Sequence, residues 1–199
     1  MPGPQIVLVD ASVFFSRTLR DWVCLLQSSS IGETFKGCWT EDIMSETIYK
    51  VRRKYPSLSG GQLTQIRRGI EEAFEGGKIE DYEIDPNFLG SDQFDAHLHS
   101  AAVARGATII LTSNREDLLP ENRNADELPY EIYTPDEFFI LLDDSASEIV
   151  REVISKQLEY FMKKHQEVDL PGRLREAKAP QFALRVAQHL QTIPLPRMK

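Results

Sequence analysis

Ile6-Val7-Leu8-Val9-Asp10 sets four branched apolar residues in a row and ends them on a carboxylate. A continuous apolar run, without alternation, suits a strand buried on both faces. A second run, Thr108-Ile109-Ile110-Leu111, has the same character, and Asp117 follows it. Strands of this kind belong to parallel sheets covered by helices, and their carboxyl ends open on one edge. Asp10 and Asp117 are therefore expected on the same edge.

Working outward, Ser12 or Ser16 opens a helical segment through Leu26, with Phe15, Leu19, Trp22, Val23 and Leu26 at helical spacing. Ser28-Ser29-Ser30-Ile31-Gly32 breaks it, and Phe35–Trp39 reads as a short strand. Thr40 is placed to cap a helix whose first turn holds Glu41 and Asp42 and which Pro56 stops. Gln62–Phe74 reads as a helix ended by Gly76-Gly77, and Asp81–Ile84 as a short strand. Asp85-Pro86-Asn87 and Leu89-Gly90 are loop chemistry. A helix is expected over Ser91–Arg105, with Asp92 as its cap and Gly106 as its stop. Glu131–Tyr133 is a last short strand, and Thr134-Pro135-Asp136-Glu137 opens a helix to Leu142. Residues 145–165 and 180–190 read as helices joined through a turn at Asp169-Leu170-Pro171-Gly172. Strands alternating with helices imply an α/β domain with a parallel sheet. The expected division is an α/β domain over residues 1–144 and a helical extension over 145–199.

The chain has 199 residues, 41% hydrophobic and 27% charged, the profile of a soluble globular protein. No apolar run approaches the ~20 residues that span a bilayer, and the Met-Pro-Gly-Pro-Gln start has no basic region or cleavable apolar core. A cytoplasmic protein is expected, with no membrane partner. Cys24 and Cys38 fit no zinc spacing and read as reduced thiols in the core. The net charge of −8 is uneven: residues 1–159 carry 15 Lys and Arg against 28 Asp and Glu, and residues 160–199 carry 8 against 3. An acidic body argues against broad polyanion binding, although bound cations would reverse its field locally.

Two further acids join the edge. Glu46 lies in the helix that follows Thr40, and Asp95 in the first turn of the helix that follows Ser91. Clustered carboxylates repel one another, so folding alone disfavours the set, whereas divalent cations would stabilise it. A carboxylate-held Mg²⁺ or Mn²⁺ pair hydrolyses phosphodiesters. Each acid also has a purely structural alternative. Asp10 can cap the next helix, Asp95 can complete a capping box with Asp92, Glu46 can pair with Lys50, and Asp117 can sit in a solvated loop. Ser12 can orient a ligand carboxylate or simply cap a helix. Arg52, Arg53, Lys54 and Arg67-Arg68 are either solvated helix faces or phosphate contacts.

The run Val7-Leu8-Val9-Asp10-Ala11-Ser12-Val13-Phe14 resembles the start of a PIN domain. Trp39-Thr40-Glu41-Asp42-Ile43-Met44-Ser45-Glu46, Asp92-Gln93-Phe94-Asp95-Ala96-His97 and Leu111-Thr112-Ser113-Asn114-Arg115-Glu116-Asp117-Leu118 resemble its second, third and fourth elements, in family order. The segment after residue 144 is similar to the C-terminal extension of one branch of VapC-type toxins. The resemblance implies a three-layer α/β/α fold and a Mg²⁺- or Mn²⁺-dependent ribonuclease, often the toxin of a toxin–antitoxin pair. It implies that Asp10, Glu46, Asp95 and Asp117 are the catalytic and metal-holding acids, with Ser12 and Asn114 orienting them. Arg52, Arg53 and Arg115 are the candidate contacts to RNA phosphates. The implied partners are an RNA substrate and a cognate antitoxin, and a homodimer is compatible with them. Many PIN domains have an aspartate where Asn114 stands, so the fourth acid here falls three residues later, at Asp117. The competing readings are a housekeeping RNA-processing nuclease, an aspartate-phosphorylated phosphotransfer domain and a non-catalytic metal- or RNA-binding module. Phosphotransfer of the haloacid-dehalogenase type wants a second aspartate where Ser12 stands.

Overall fold

The structure, a computed structural model, describes residues 4–30, 34–88, 90–119 and 125–193. Of the break expected over residues 28–32, residues 28–30 are helical instead, and Ile31 and Gly32, like Leu89 and the first three residues, lie outside the described residues. β1 (Gln5–Val9), β2 (Phe35–Thr40), β3 (Lys78–Ile79), β4 (Ile109–Leu111) and β5 (Glu131–Tyr133) form one sheet in the order β3-β2-β1-β4-β5. Every pairing is parallel. β1 is central, and Val7, Leu8 and Val9 are fully buried, as their unbroken apolar run predicts. The fold is a three-layer α/β/α sandwich, with helices covering the sheet and further helices at the C-terminal end.

α1 (Ala11–Phe15) and α2 (Arg17–Ser30) occupy the first expected helical segment. Of the two candidate starts, Ser16 opens α2, taking an extended conformation and accepting from the Leu19 amide, whereas α1 begins directly after Asp10 and holds Ser12 inside its first turn. α3 (Glu41–Lys54) begins at the Thr40 cap, whose hydroxyl accepts from the Ile43 amide at 3.2 Å. α4 (Gly60–Ala73) starts on a capping box between Ser59 and Gln62. The strand expected at Asp81–Ile84 is not formed, and β3 lies upstream of it. Gly76 at φ 72° turns the chain, and Gly77 packs so tightly that a Cβ there would lie 2.3 Å from the Gly37 carbonyl. The chain thus reaches β2 directly after the glycines, where Trp39 donates to the Gly77 carbonyl.

The expected helix at Ser91–Arg105 divides into a 3₁₀ turn (Gln93–Asp95) and α5 (Ala96–Arg105), closed by Gly106 at φ 66°. α6 is a single turn, Arg115–Leu118. α7 (Pro135–Lys163) merges the two helices expected after Thr134, with a kink at Ala146. The division expected at 144/145 falls just before that kink. The Ser145 hydroxyl donates to the Leu141 carbonyl at 2.8 Å, a back-bond that bends helices. The expected turn at Asp169–Gly172 is instead the start of α8 (Leu170–Glu176): the Asp169 carboxylate accepts from the Gly172 amide and Pro171 occupies the first turn. Cap and proline chemistry serve a turn and a helix start alike. α9 (Pro180–Leu190) returns along α7. Phe182 of α9 packs on Trp22 at 4.9 Å and on Phe139 at 5.1 Å, so the last helices share the core of the sheet domain. Cys24 and Cys38 are free, and burial pushes both thiols up to about 12. Among the described residues, no helix is long and apolar enough to cross a membrane.

Candidate active site at the carboxyl edge of the sheet

The chain leaves β1 toward β2 on one side and returns to β4 on the other, so the β1–β4 boundary is a topological switch point. The register Val9↔Leu111 sets Asp10 beside Thr112 just beyond the last strand pair. The Asp10 amide donates to the Leu111 carbonyl at 2.9 Å, and the Thr112 amide to the Tyr133 carbonyl at 3.0 Å. Asp10 is 6% exposed. Its Oδ2 accepts from the Ser12 hydroxyl at 2.5 Å and from the Thr112 hydroxyl at 2.8 Å. Oδ1 takes no hydrogen bond among the described residues, so two hydroxyls fix one oxygen and leave the other available. The same hydroxyls pin the β4 loop: the Ser113 amide donates to Ser12 Oγ and the Asn114 amide to Thr112 Oγ1.

Asp95 arrives from the other side of the edge. Asp92 caps the 3₁₀ turn by accepting from the Phe94 amide, which places Asp95 at the start of α5. The Asp92 amide donates to the Asp117 carbonyl at 3.2 Å, and Ser91 Oγ contacts the Glu116 and Asp117 carbonyls. The third and fourth elements are thus tied together through backbone. Burial, then the charges of Asp10, Asp92, Asp117 and Glu46, push the Asp95 carboxyl up to about 7. Those neighbours include the other three acids expected from the sequence, together with Asp92. Glu46 is held by Lys50 at 2.6 Å, the helix pair named as its structural alternative. Partial burial opposes the charge on Lys50, but its hydrogen bond to Glu46 and the fields of Glu46, Asp10 and Asp95 raise it above its usual value. Lys50 is thus a cation at this edge as well as a helix partner.

Among the described residues, no three carboxylate, histidine or cysteine side chains stand close enough together to grip a metal ion as they lie. The donors are all carboxylate oxygens, the chemistry suited to a hard divalent cation, and Asp95 is raised first by burial and then by the neighbouring negative charges. A concavity of about 850 Å³ lies elsewhere, beside Thr108 and Tyr130 at the β4–β5 edge, and none of the four acids lines it.

Of the remaining candidates, Asn114 stands at the start of α6 without a side-chain cap bond. Arg52 donates to the Pro56 and Leu58 carbonyls and so secures the loop after α3. Arg115 pairs with Glu137 at 3.1 Å. Arg53 is exposed near the end of α3. Thr112, Asp92 and Lys50 are the residues that sequence reasoning undervalued. Thr112 was detectable in principle, because parallel pairing of the two apolar runs sets the residue after Leu111 opposite Asp10.

The PIN-domain family model matches residues 6–116. The chain belongs to the PIN-domain family. PIN domains are a nuclease fold, which places this chain among hydrolases at a coarse level. The match includes Asp10, Glu46, Asp95, Asn114 and Arg115 and stops one residue short of Asp117. No curated protein and no solved structure matches the chain.

Proposed function

We propose that this PIN domain is a Mg²⁺- or Mn²⁺-dependent endoribonuclease, and that it acts as the toxin of a type II toxin–antitoxin pair with a cognate antitoxin as partner. One observation carries the reading. Asp95 is raised to about 7 by burial and by Asp10, Asp92, Asp117 and Glu46, which converge on it at the switch point. Such an arrangement costs folding energy and is stabilised by added positive charge. Asp10, Glu46, Asp95 and Asp117 would hold the cation, with Ser12 and Thr112 fixing the Asp10 carboxylate. When bound, the ion supplies charge that activates water and neutralises a phosphate. The residues themselves orient Asp10 through Ser12 and Thr112 and tie the third and fourth elements together through backbone hydrogen bonds. The toxin assignment is supported by the resemblance of the C-terminal helices to one VapC-type branch.

The test is cleavage of a mixed RNA with Mn²⁺ and with EDTA, by wild type and by Asp95→Asn. The partners that orient a ligand commonly contribute about 10–100-fold. Loss of a ligand itself is therefore expected to remove more than about 100-fold of activity. Full cleavage by the variant, or by wild type in EDTA, rejects the metal-nuclease reading. Expression without a partner gene separates toxin from housekeeping nuclease: growth arrest relieved by Asp10→Ala supports the toxin, and harmless active enzyme rejects it.

A further inference from the structure

α1 starts at Asp10 and α3 at Thr40, both at the carboxyl edge, and the two helices pack against each other. Glu46, Lys50 and Lys54 follow one another at four-residue spacing along one flank of α3. That row advances about 6 Å per step. Its far end meets α1 again, because Lys54 Nζ lies 5.2 Å from the Phe15 ring centroid and 5.4 Å from that of Tyr55. Tyr55 is 45% exposed. Phe15 and Tyr55 also line a cleft of about 670 Å³ that holds Arg17 and Gln65. The opposite flank of α3 is different: Ser45, Ile48, Tyr49 and Arg52 face α4.

Most cations near this surface are occupied by acids, Lys50 included, which holds Glu46 at 2.6 Å. Arg67 binds Glu41 and Glu71, Lys78 binds Glu41 and Glu80, and Arg115 binds Glu137. Lys54 meets two rings instead of a carboxylate. In an otherwise acidic body, a cation row leading from the acid edge to an exposed tyrosine and a cleft that sets Arg17 and Gln65 among apolar side chains matches single-stranded nucleic acid. Cations follow the phosphates, and an aromatic face takes a base. We propose that the Lys50–Lys54 flank of α3, with Phe15 and Tyr55, is the track that carries single-stranded RNA away from the acid edge. Tyr55 stacks a base about two residues of the strand beyond the cleavage point. This inference rests on the nuclease reading for its direction, and its binding test does not depend on cleavage.

The experiment uses the full chain carrying Asp95→Asn and measures fluorescence anisotropy of a labelled single-stranded RNA at several salt concentrations. Tyr55→Ala is expected to weaken binding roughly 5-fold or more, the low end for one lost stack. Lys54→Ala is expected to weaken binding and to flatten the slope of log affinity against log salt by roughly 0.7, while Lys54→Arg keeps the slope. Tyr49→Ala, on the opposite flank, is expected to bind as the parent does. If Tyr55→Ala and Lys54→Ala bind no worse than Tyr49→Ala, the track is wrong, even where wild type cleaves RNA. If those two variants lose affinity while wild type cleaves nothing with Mn²⁺, the track stands and the nuclease reading falls.

Discussion

Acidic residues meet opposite circumstances in two parts of this molecule. On the seam between α7 and α9, Asp136, Asp143 and Asp144 each have a donor. Asp136 accepts from the Gln181 and Phe182 amides and so caps α9. Asp143, 4% exposed, meets His189 at 2.7 Å and Arg185 at 3.6 Å, and Arg185 also holds Asp144 at 2.9 Å. At the β1–β4 edge, acids face acids. Asp95 has no side-chain hydrogen bond among the described residues, and Asp10, Asp92, Asp117 and Glu46 surround it. Lys50 and two hydroxyls offset only part of that charge. A seam acid is explained by the fold that it holds together. An edge acid is not, and that difference distinguishes structural carboxylates from chemical ones where sequence shows only Asp and Glu.

Substitutions on the two sides should therefore fail in different ways. The largest effect is expected on the seam. Phe182 fills the space between Trp22 and Phe139. Phe182→Ala should cost about 3–5 kcal/mol through the lost burial and the cavity left behind. For a chain of this size, that lowers the melting temperature by about 6–20 °C. Manganese affinity of the remaining folded protein should stay unchanged. A calorimetric scan and a manganese titration on the same sample check both halves, and loss of metal affinity in fully folded protein would show that the seam and the edge are coupled.

At the edge, the sign reverses. Asp95 holds its proton more tightly in the folded chain, at about 7, than at its ordinary value of 3.8. The folded state therefore binds more protons between those values. The contribution of this group to stability is greatest below the lower value and is lost as pH rises through the upper one. In EDTA, wild type should thus become progressively less stable relative to Asp95→Asn between about pH 4 and pH 8. Manganese should restore wild type but not the variant. Urea midpoints across that range measure it, and a pH-independent difference would mean that the acids do not crowd Asp95 in solution.

The parts that sequence made legible are those governed by local rules. The runs at Ile6–Val9 and Ile109–Leu111, the Thr40 and Thr134 caps and the Gly106 stop all appear as expected, because burial and capping are written in neighbouring residues. That Asp10, Glu46 and Asp117 all act on Asp95 was legible for a different reason: a parallel sheet brings carboxyl ends to one edge whatever the loops do. Less accessible were features that depend on distant partners. β3 is two residues long and is fixed by the close approach of Gly77 to Gly37, not by its own apolar pattern. Phe182 gave a helical spacing but no hint that Trp22 and Phe139 would receive it. Thr112 carries no charge and belongs to no metal pattern, so only its register against Asp10 reveals it.

That register yields the smallest and most discriminating test. Thr112→Val keeps the shape of the side chain and removes its hydroxyl. Asp10 Oδ2 then loses one of its two donors, and the Asn114 amide loses its acceptor. The buried core around β1 and β4 is untouched, so the stability loss should be about 2–3 kcal/mol, the net value of two hydrogen bonds of which one goes to a carboxylate. A functional loss should accompany it, about 10-fold in manganese affinity or in cleavage rate, because a group that orients a ligand acts through the ligand's geometry. Asp136→Asn on the seam is the matching control: it weakens the α9 cap, should lower the melting temperature, and should leave manganese binding alone. If Thr112→Val lowers stability and metal affinity only in the same ratio as Asp136→Asn, Thr112 is another structural contact, and the distinction between edge and seam fails at the residue meant to define it.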